Sequence, residues 1–473
     1  MCDLMIFAGL IVGRDYHVGR DYQKVIVKIL KKIKPTKKEE IKDQEFIKNF
    51  VGKLDKLTPT EINVKLAGSM AKGTSLKEDK DFDVFLLFPK TYSVTELTKY
   101  GLQWAKKAVK GNRYEIAYAQ HPYLRAWIEG NEVDIVPSYN IKTISERMTA
   151  VDRSPLHTGY VNNNLNDKKK DGVRLLKQFL KGIGIYGAEG KIQGFSGYLC
   201  ELLIIKYKSF LNLLDEASNW KGIPVIDIEK NRGATELTGK FPDAAMIFMD
   251  PVDEHRNVAA AVSKTSLSLF IYSGRRFLKK SSTRFFFPVM KKFDKKWMQR
   301  QIKNRNTLIL GFEFEKPTIV DDILWPQLYK FASKVSKIAA ENDFSVLDSD
   351  VTVDNKNNKC TIIFEFEIFE LPKIKRVIGP PLWLEKEVYS FMKKHKVTEP
   401  IWFSGDKILS LATRRQVRVE DLLKEIIRKA EIYGVPPDIK KAVKTKSFKM
   451  LNVDSITKRY PQFLFSYLKT RNM

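Results

Sequence analysis

The chain has 473 residues, too many for one ordinary hydrophobic core, and its 43% hydrophobic and 11% aromatic content excludes a disordered polyelectrolyte. Lys and Arg total 83 against 56 Asp and Glu, a formal net charge of +27, and that excess favours a polyanionic partner because each neutralised phosphate releases counterions. Three widely separated cysteines (Cys2, Cys200, Cys360) and five scattered histidines exclude a zinc cluster and a disulfide framework, which fits a reducing, cytoplasmic compartment.

The opening Leu4–Val12 is apolar but lacks a basic flank and is too short to span a bilayer, so a soluble protein is expected. Gly13-Arg-Asp-Tyr16 recurs as Gly19-Arg-Asp-Tyr22, read as chance or a start-site extension. A lysine-rich helical stretch from about Tyr22 to Leu57 leads into a strand, Asn63–Ala67, and then a small-residue turn, Gly68-Ser-Met-Ala-Lys-Gly-Thr74, that opens a helix. The next strand, Asp81–Phe88, alternates strictly: Asp81, Asp83 and Phe85 share one face, Phe82, Val84 and Leu86 the other. A helix over Ser93–Lys110 precedes two strands, Tyr123–Ile128 and Glu132–Pro137, joined by the hairpin turn Glu129-Gly130-Asn131.

From about Asn162 the pattern turns helical, with apolar residues at helical spacing over Val173–Leu180, Gly197–Leu214 and Asn257–Leu278. Strand-like residues return at Thr307–Glu315, a helix is predicted over Asp321–Asn342, and a hairpin joins Ser345–Val353 to Cys360–Phe369. That order suggests a small α+β layer like those of RNA-recognition folds. Beyond the Pro380-Pro381 pair, read as a boundary, the chain from Trp383 is expected to be helical and basic, with Lys440, Lys441, Lys444 and Lys446 crowded near its end.

Asp81 and Asp83 stand side by side on an otherwise apolar strand, and carboxylates about 4 Å apart repel by about 4 kcal/mol at an effective dielectric near 20. Asp134, amid the apolar residues of Glu132-Val-Asp-Ile-Val136, supplies a third from a neighbouring strand. Such a cluster is either a solvated strand edge or a hard-oxygen site for Mg²⁺ bound together with phosphates. The turn before the strand favours the second reading: Gly68-Ser69 lets backbone N–H groups approach an anion, and Lys72 and the Ser69 hydroxyl add donors. A triphosphate held there lies beside the carboxylates, the arrangement of two-metal nucleotidyl transfer.

Gly68-Ser69, Lys72-Gly-Thr74, Asp81-Phe-Asp83-Val-Phe85 and Asp134 together resemble the signature of the polymerase-beta-like nucleotidyltransferases, and within them the class I (archaeal) CCA-adding enzymes. Ala119-Gln-His-Pro-Tyr123, Ala150-Val-Asp-Arg-Ser-Pro155, Val173-Arg-Leu-Leu-Lys177, Gly184-Ile-Tyr-Gly-Ala-Glu189, the segment Gly194–Leu203, and Asp250-Pro-Val-Asp253 with Arg256–Val262 resemble further blocks of that family. The resemblance implies a multidomain α+β chain: a polymerase-beta-like nucleotidyltransferase head (1–160, with an N-terminal extension), a helical neck (161–285), an α+β body (286–380) and a basic tail (381–473). It implies CTP and ATP as substrates, two Mg²⁺ ions, and tRNA, through its acceptor stem and TΨC arm, rather than DNA or a membrane. Asp81, Asp83 and Asp134 look like catalytic metal ligands. Ser69, Lys72, His121, Ser154, His157, Lys177 and Tyr186 look like triphosphate or sugar contacts, and Arg256 resembles the reader of the incoming base. Two positions depart from the family's pattern. Lys72 stands where Arg or another basic residue is usual and keeps the charge, whereas Gln120 stands where Glu is usual and loses one.

C and A both present an exocyclic amino donor where U and G present a keto oxygen, so a buried acceptor left unpaired by the wrong base discriminates by about 1–3 kcal/mol. Gly182-Ile-Gly-Ile-Tyr-Gly187 fits a dinucleotide fingerprint to the letter, but it follows a helix rather than a strand and reads as a closely packed capping turn. A poly(A) polymerase or oligoadenylate synthetase of the same superfamily, or a non-catalytic tRNA-binding protein, are the competing readings; three intact carboxylates disfavour the last. The oligomeric state, a homodimer included, is left open.

Overall fold

Proline has no N–H and disfavours helix in the residue before it, so Lys34-Pro35-Thr36 divides the expected first helix in two. Helix α1 covers Asp21–Ile33 and α2 covers Lys37–Asp55. Thr36 caps α2: its hydroxyl accepts from the Glu39 N–H at 3.3 Å while the Glu39 carboxylate accepts from the Thr36 N–H at 2.8 Å. The computed structural model describes residues 21–118, 122–230, 232–289, 292–395 and 400–470. The chain divides into two compact units, Met1–Met290 and Lys291–Met473.

The first unit opens with a five-stranded sheet. β1 (Asn63–Ala67) leads through a one-turn helix, α3 (Gly68–Lys72), to β2 (Asp81–Phe88), and α4 (Val94–Ala108) crosses to β3 (Arg113–Tyr118), β4 (Pro122–Ile128) and β5 (Asn131–Tyr139). The order is β1-β2-β5-β4-β3, with β2 and β5 parallel and the other neighbours antiparallel. Alternation along β2 buries Phe82, Val84, Leu86 and Phe88 with Leu97 and Ala105 of α4. The opposite face carries, among the described residues, a small cluster, Ala67, Phe85, Leu87 and Val136, and there β2 also holds Asp81 and Asp83 and β5 holds Glu132 and Asp134. The parallel β2–β5 pairing places Asp83 directly opposite Asp134 and Asp81 opposite Glu132.

The rest of this unit is mainly helical: α5 (Arg153–Asn164), α6 (Asp167–Gly182), α7 (Gly197–Tyr207), α8 (Phe210–Ser218), α9 (Ala234–Lys240) and α10 (Lys264–Lys279), with a short parallel pair, β6 (Val225–Ile226) and β7 (Ile247–Phe248). Two expected helices change. The apolar run over Gly197–Leu214 breaks at Lys208, whose φ is +69°, and Ser209 caps a fresh helix through the Asn212 N–H. Residues 257–263, expected to open the last long helix, form turns instead. The Asn257 amide holds them, accepting from the Phe248 and Ala259 N–H groups and donating to the Met246 carbonyl, all at 2.9 Å. Ser263 then caps α10.

The glycine cluster after α6 is a packing device, as its context suggests. A Cβ on Gly182 would lie 2.0 Å from the Phe285 carbonyl oxygen, and Gly184 takes φ +77°.

In the second unit α11 (Lys295–Arg305) precedes β8 (Leu308–Glu315), α12 (Asp321–Glu341), β9 (Ser345–Asp354) and β10 (Lys359–Ile368). Leu324, Leu328, Phe331 and Val335 of α12 pack on Phe312 and Phe364 of the sheet, giving the expected α+β layer. The remainder is not simply helical. β11 (Ile374–Pro381), α13 (Glu385–His395), β12 (Ile401–Ser404) and β13 (Lys407–Thr413) build a second sheet, in the order β11-β13-β12. Pro380-Pro381 thus lies inside a strand, whose Pro381 pairs with Lys407. After α14 (Val419–Arg428) and α15 (Pro437–Val443), β14 (Lys449–Asn452) returns to the first sheet beside β8, and α16 (Val453–Arg459) and α17 (Pro461–Thr470) close the chain. Among the described residues no helix is long and apolar enough to cross a membrane.

Gly182→Ala is expected to shift the urea unfolding of the first unit to lower denaturant, by about 1–3 kcal/mol, because backbone at Phe285 cannot yield as a side chain can. Gly159→Ala, on α5 with nothing within 4 Å of the added Cβ, serves as the control and is expected to stabilise by up to about 1 kcal/mol.

Candidate active site

Three acidic side chains share one face of the head sheet: Asp83 faces Asp134 across the β2–β5 pair, and Asp81 lies two residues from Asp83 along the same strand. Burial, with the Asp134 and Asp81 charges adding to it, pushes the Asp83 carboxyl up to about 7. Asp81 is raised as well, by desolvation and by the neighbouring Asp79, Glu132 and Asp134. Arg125 sits opposite Asp134 on β4 and grips it with two hydrogen bonds, Nε to Oδ1 at 2.8 Å and Nη2 to Oδ2 at 2.7 Å. Its Nε also lies 3.0 Å from Glu132 Oε1.

The turn before β2 is built around Asp83. Gly68 takes φ +67°, and a Cβ there would lie 1.8 Å from Asp83 Oδ2, so only glycine brings the backbone this close to the carboxylate. Ser69 is half-exposed on the first turn of α3. That helix has five residues, from Gly68 to Lys72, and ends in left-handed Gly73, so only a single turn's dipole stands behind the Gly-Ser turn.

Lys72 and Lys177, expected as open phosphate contacts, are buried. Lys72 Nζ donates to Glu201 Oε2 at 2.6 Å, and the Thr74 hydroxyl donates to Glu201 Oε1 at 2.6 Å. Lys177 Nζ donates to the Thr74 carbonyl at 3.1 Å and lies 4.0 Å from Glu201, and burial draws its ammonium below the ordinary lysine value. Arg174, one turn earlier on α6, donates to the Gly73 and Ser75 carbonyls at 2.7 and 3.0 Å. The helical layer thereby holds the segment Gly73–Ser75 that follows α3. Tyr186 joins this group: a Cβ on Gly197 would stand 3.2 Å from its hydroxyl and 3.6 Å from Lys177 Nζ.

A third group centres on Asp250. Its Oδ2 accepts from Arg256 Nη1 at 2.8 Å and lies 2.9 Å from His157 Nε2; its Oδ1 accepts from Tyr198 Oη at 3.1 Å and the Val252 N–H at 3.0 Å. Burial opposes ionisation, yet the His157 and Arg256 hydrogen bonds hold the carboxyl well below the usual carboxylate range. The carboxylate therefore needs a donor from His157, which places that proton on Nε2. His157 stacks on Tyr198 with ring centroids 4.0 Å apart, and burial keeps its imidazole below the ordinary value. Arg256 pairs with Asp250 rather than Asp253, which instead accepts from Arg147 and Arg153, and it precedes α10 in turns instead of opening that helix. Ser154 is half-buried on the same helix as His157, one turn earlier. Lys72 links the groups, lying near Asp83 and 5.8 Å over the Tyr198 ring. His121 and Gln120 lie outside the described residues.

Arg125, Glu201, Asp250 and Tyr198 were not singled out from the sequence. Glu201 alone had a signal, a lone acid within Leu199-Cys-Glu-Leu-Leu203 that must find a buried partner. In the second unit Lys441, Lys444 and Lys446 are exposed, and Lys444 donates to Glu431 at 2.8 Å, so part of that basic cluster is neutralised.

Three carboxylates offer only hard oxygens, the donor set a divalent cation such as Mg²⁺ takes, and their crowding is relieved by one, so the residues fit the ion. As the side chains stand, no three His, Cys, Asp or Glu among the described residues are gathered closely enough to hold a metal. Asp134 has given both oxygens to Arg125.

The chain matches three family models: nucleotidyltransferase domain over residues 47–157, tRNA nucleotidyltransferase second domain over 171–287, and CCA-adding enzyme C-terminal domain over 305–452. It is 38% identical over 417 residues to a CCA-adding enzyme of Methanocaldococcus jannaschii, covering 86% of this chain and 90% of that one. It is 36% identical over 396 residues to one of Sulfurisphaera tokodaii, with 84% and 90% covered. To one of Methanosarcina mazei it is 35% identical over 407 residues, with 84% and 87% covered.

The raised Asp83 carboxyl has a consequence for stability. A group whose folded pKa lies above its unfolded value stabilises below the unfolded value and loses that contribution as pH rises through the folded one, here from about 4 to about 7. In EDTA, Asp83→Asn is expected to match the wild-type Tm near pH 4 and to exceed it increasingly up to pH 8. A Tm difference that stays flat across this range contradicts the crowding.

Proposed function

The chain belongs to the CCA-adding family of tRNA nucleotidyltransferases, and from that premise we propose how its site builds the 3′ end of tRNA from CTP and ATP without a nucleic-acid template. The observation that supports the reading is the in-register Asp83–Asp134 pair, with Asp81 on the same face, set against a Gly68-Ser69 turn that only glycine permits.

Asp81, Asp83 and Asp134 would hold two Mg²⁺ ions. When bound, such ions lower the pKa of the attacking 3′-hydroxyl and neutralise the departing pyrophosphate. In the transfer the tRNA 3′-hydroxyl gives its proton to solvent as its oxygen forms a bond to the α-phosphorus, the bond from that phosphorus to the bridging α–β oxygen breaks, and pyrophosphate leaves with the electron pair. The Gly68-Ser69 backbone and the Ser69 hydroxyl receive the triphosphate. Lys72 and Lys177, held by Glu201, act from behind the turn as a fixed positive field rather than as mobile clamps. Tyr186, Ser154, His157 and, by resemblance, His121 complete the sugar and phosphate contacts.

Arg256 reads the base. Asp250 fixes one guanidinium nitrogen, which leaves other N–H groups for the ring-nitrogen and carbonyl acceptors of C or A. The basic tail meets the acceptor stem and TΨC arm, with Lys440, Lys441, Lys444 and Lys446 as phosphate contacts.

Single-turnover addition to a tRNA trimmed to its discriminator base, followed by sequencing of the product ends, tests this. Wild type should append C, C and A. Asp83→Ala should add neither nucleotide while binding tRNA with nearly unchanged affinity, and Arg256→Ala should lose preference for C and A over U and G more than it loses rate. Near wild-type turnover by Asp83→Ala with Mg²⁺ rejects the metal assignment. A uniform slowing of all four nucleotides by Arg256→Ala removes base reading from that residue.

A further inference from the structure

Arg125 is a fixed cation lying against a carboxylate proposed to bind mobile ones. It is opposite Asp134 in the β4–β5 register and occupies both Asp134 oxygens, at 2.8 and 2.7 Å. A divalent ion on Asp134 and a guanidinium on the same two oxygens repel each other at close range, so the grip of Arg125 opposes an ion at this carboxylate. A second acceptor stands ready. Glu132 is two residues from Asp134 on β5, on the same face, with Oε1 3.0 Å from Arg125 Nε. The side chain is braced besides by Tyr123, whose hydroxyl lies 3.3 Å from Nη2.

We propose that Arg125 is a positioning residue that neutralises Asp134 in the metal-free protein and transfers to Glu132 when a divalent cation takes Asp134. Glu132 is then the acceptor that makes release of Asp134 possible, and the pair sets the affinity of the site for its ions. The inference rests on the reading of Asp81, Asp83 and Asp134 as metal ligands. It adds two residues to that site that neither phosphate nor base contacts account for. The guanidinium moves by rotation about its own side-chain bonds, since Nε, while bonded to Asp134, already lies 3.0 Å from Glu132 Oε1.

Binding of Mn²⁺ to the full-length protein without nucleotide, read by electron paramagnetic resonance of the free ion, tests it. Arg125→Gln should tighten Mn²⁺ about tenfold, Glu132→Gln should weaken it by a similar factor, and in the double variant the Glu132→Gln effect should vanish. Arg125→Lys, which keeps the charge without the two-pronged grip, should tighten binding less than Arg125→Gln, and it preserves the test if Arg125→Gln fails to fold. Unchanged or weaker binding in both Arg125 variants overturns the proposal. So does a Glu132→Gln effect that persists undiminished without Arg125, because that outcome is a plain field effect. Asp83→Asn separates the two readings: if it abolishes Mn²⁺ binding, the metal site stands whatever Arg125 does. If it leaves Mn²⁺ binding intact, the metal assignment fails and this inference with it.

Discussion

Like charges crowded on one face of a sheet govern this molecule. The parallel register of β2 and β5 places Asp83 against Asp134, and strand periodicity adds Asp81 on the same side. Among the described residues the apolar cover of that face is the small cluster around Phe85 and Val136, and water alone does not relieve the crowding, since Asp83 is pushed up to about 7 by burial and its neighbours. The surrounding residues answer the repulsion in two ways. Arg125 neutralises Asp134 with a two-pronged grip, and Gly68 removes the one Cβ that would strike Asp83. The carboxylates are thus held ready by a frame that is strained electrostatically until cations arrive, which is the preorganisation phosphoryl transfer requires.

The same frame explains why the helical layer is needed for the head to work. The Gly-Ser turn and α3 have one helical turn of their own, too little to hold a shape alone. Glu201 of α7 and Lys177 and Arg174 of α6 tie Lys72, Gly73, Thr74 and Ser75 in place through buried hydrogen bonds. Lys72 then passes close to Tyr198, which with His157 and Arg256 converges on Asp250. Lys72 thus stands near both the carboxylates and the group around Asp250, which holds the proposed base reader.

How much of this was visible in the sequence depended on whether a pattern was local. The strands Asn63–Ala67 and Asp81–Phe88 were legible to the residue, because alternation and a flanking glycine or proline bound them. The edge strand Arg113–Tyr118 was missed although Tyr114, Ile116 and Tyr118 alternate with Arg113 and Glu115, because it is short and most of its side chains are exposed. The break at Lys208 was missed because apolar residues keep helical spacing on both sides of Lys206-Tyr-Lys208-Ser209, and a lysine in the left-handed region leaves no mark in composition. The strands over 401–413 were read as helix because they are short and strongly basic stretches surround them. In the site, the three carboxylates and the Gly68-Ser69 turn were evident from spacing. Arg125 looked like any half-exposed strand arginine, and Lys72 and Lys177 looked free, because their partners lie far away in the chain: Glu201 is 129 residues beyond Lys72. Long-range pairing decides what a charged residue does, and only the fold supplies it.

The central claim is that crowding on the β2–β5 face is what a divalent ion relieves. Proton release on metal binding measures this directly. Mg²⁺ is titrated into the metal-free protein in weakly buffered solution at pH 6 and at pH 8.5, and the protons released per bound ion are counted. The account predicts release of about one proton at pH 6, falling toward none at pH 8.5, and no release at either pH from Asp83→Asn. Mg²⁺ binding at pH 6 with no proton released would contradict it.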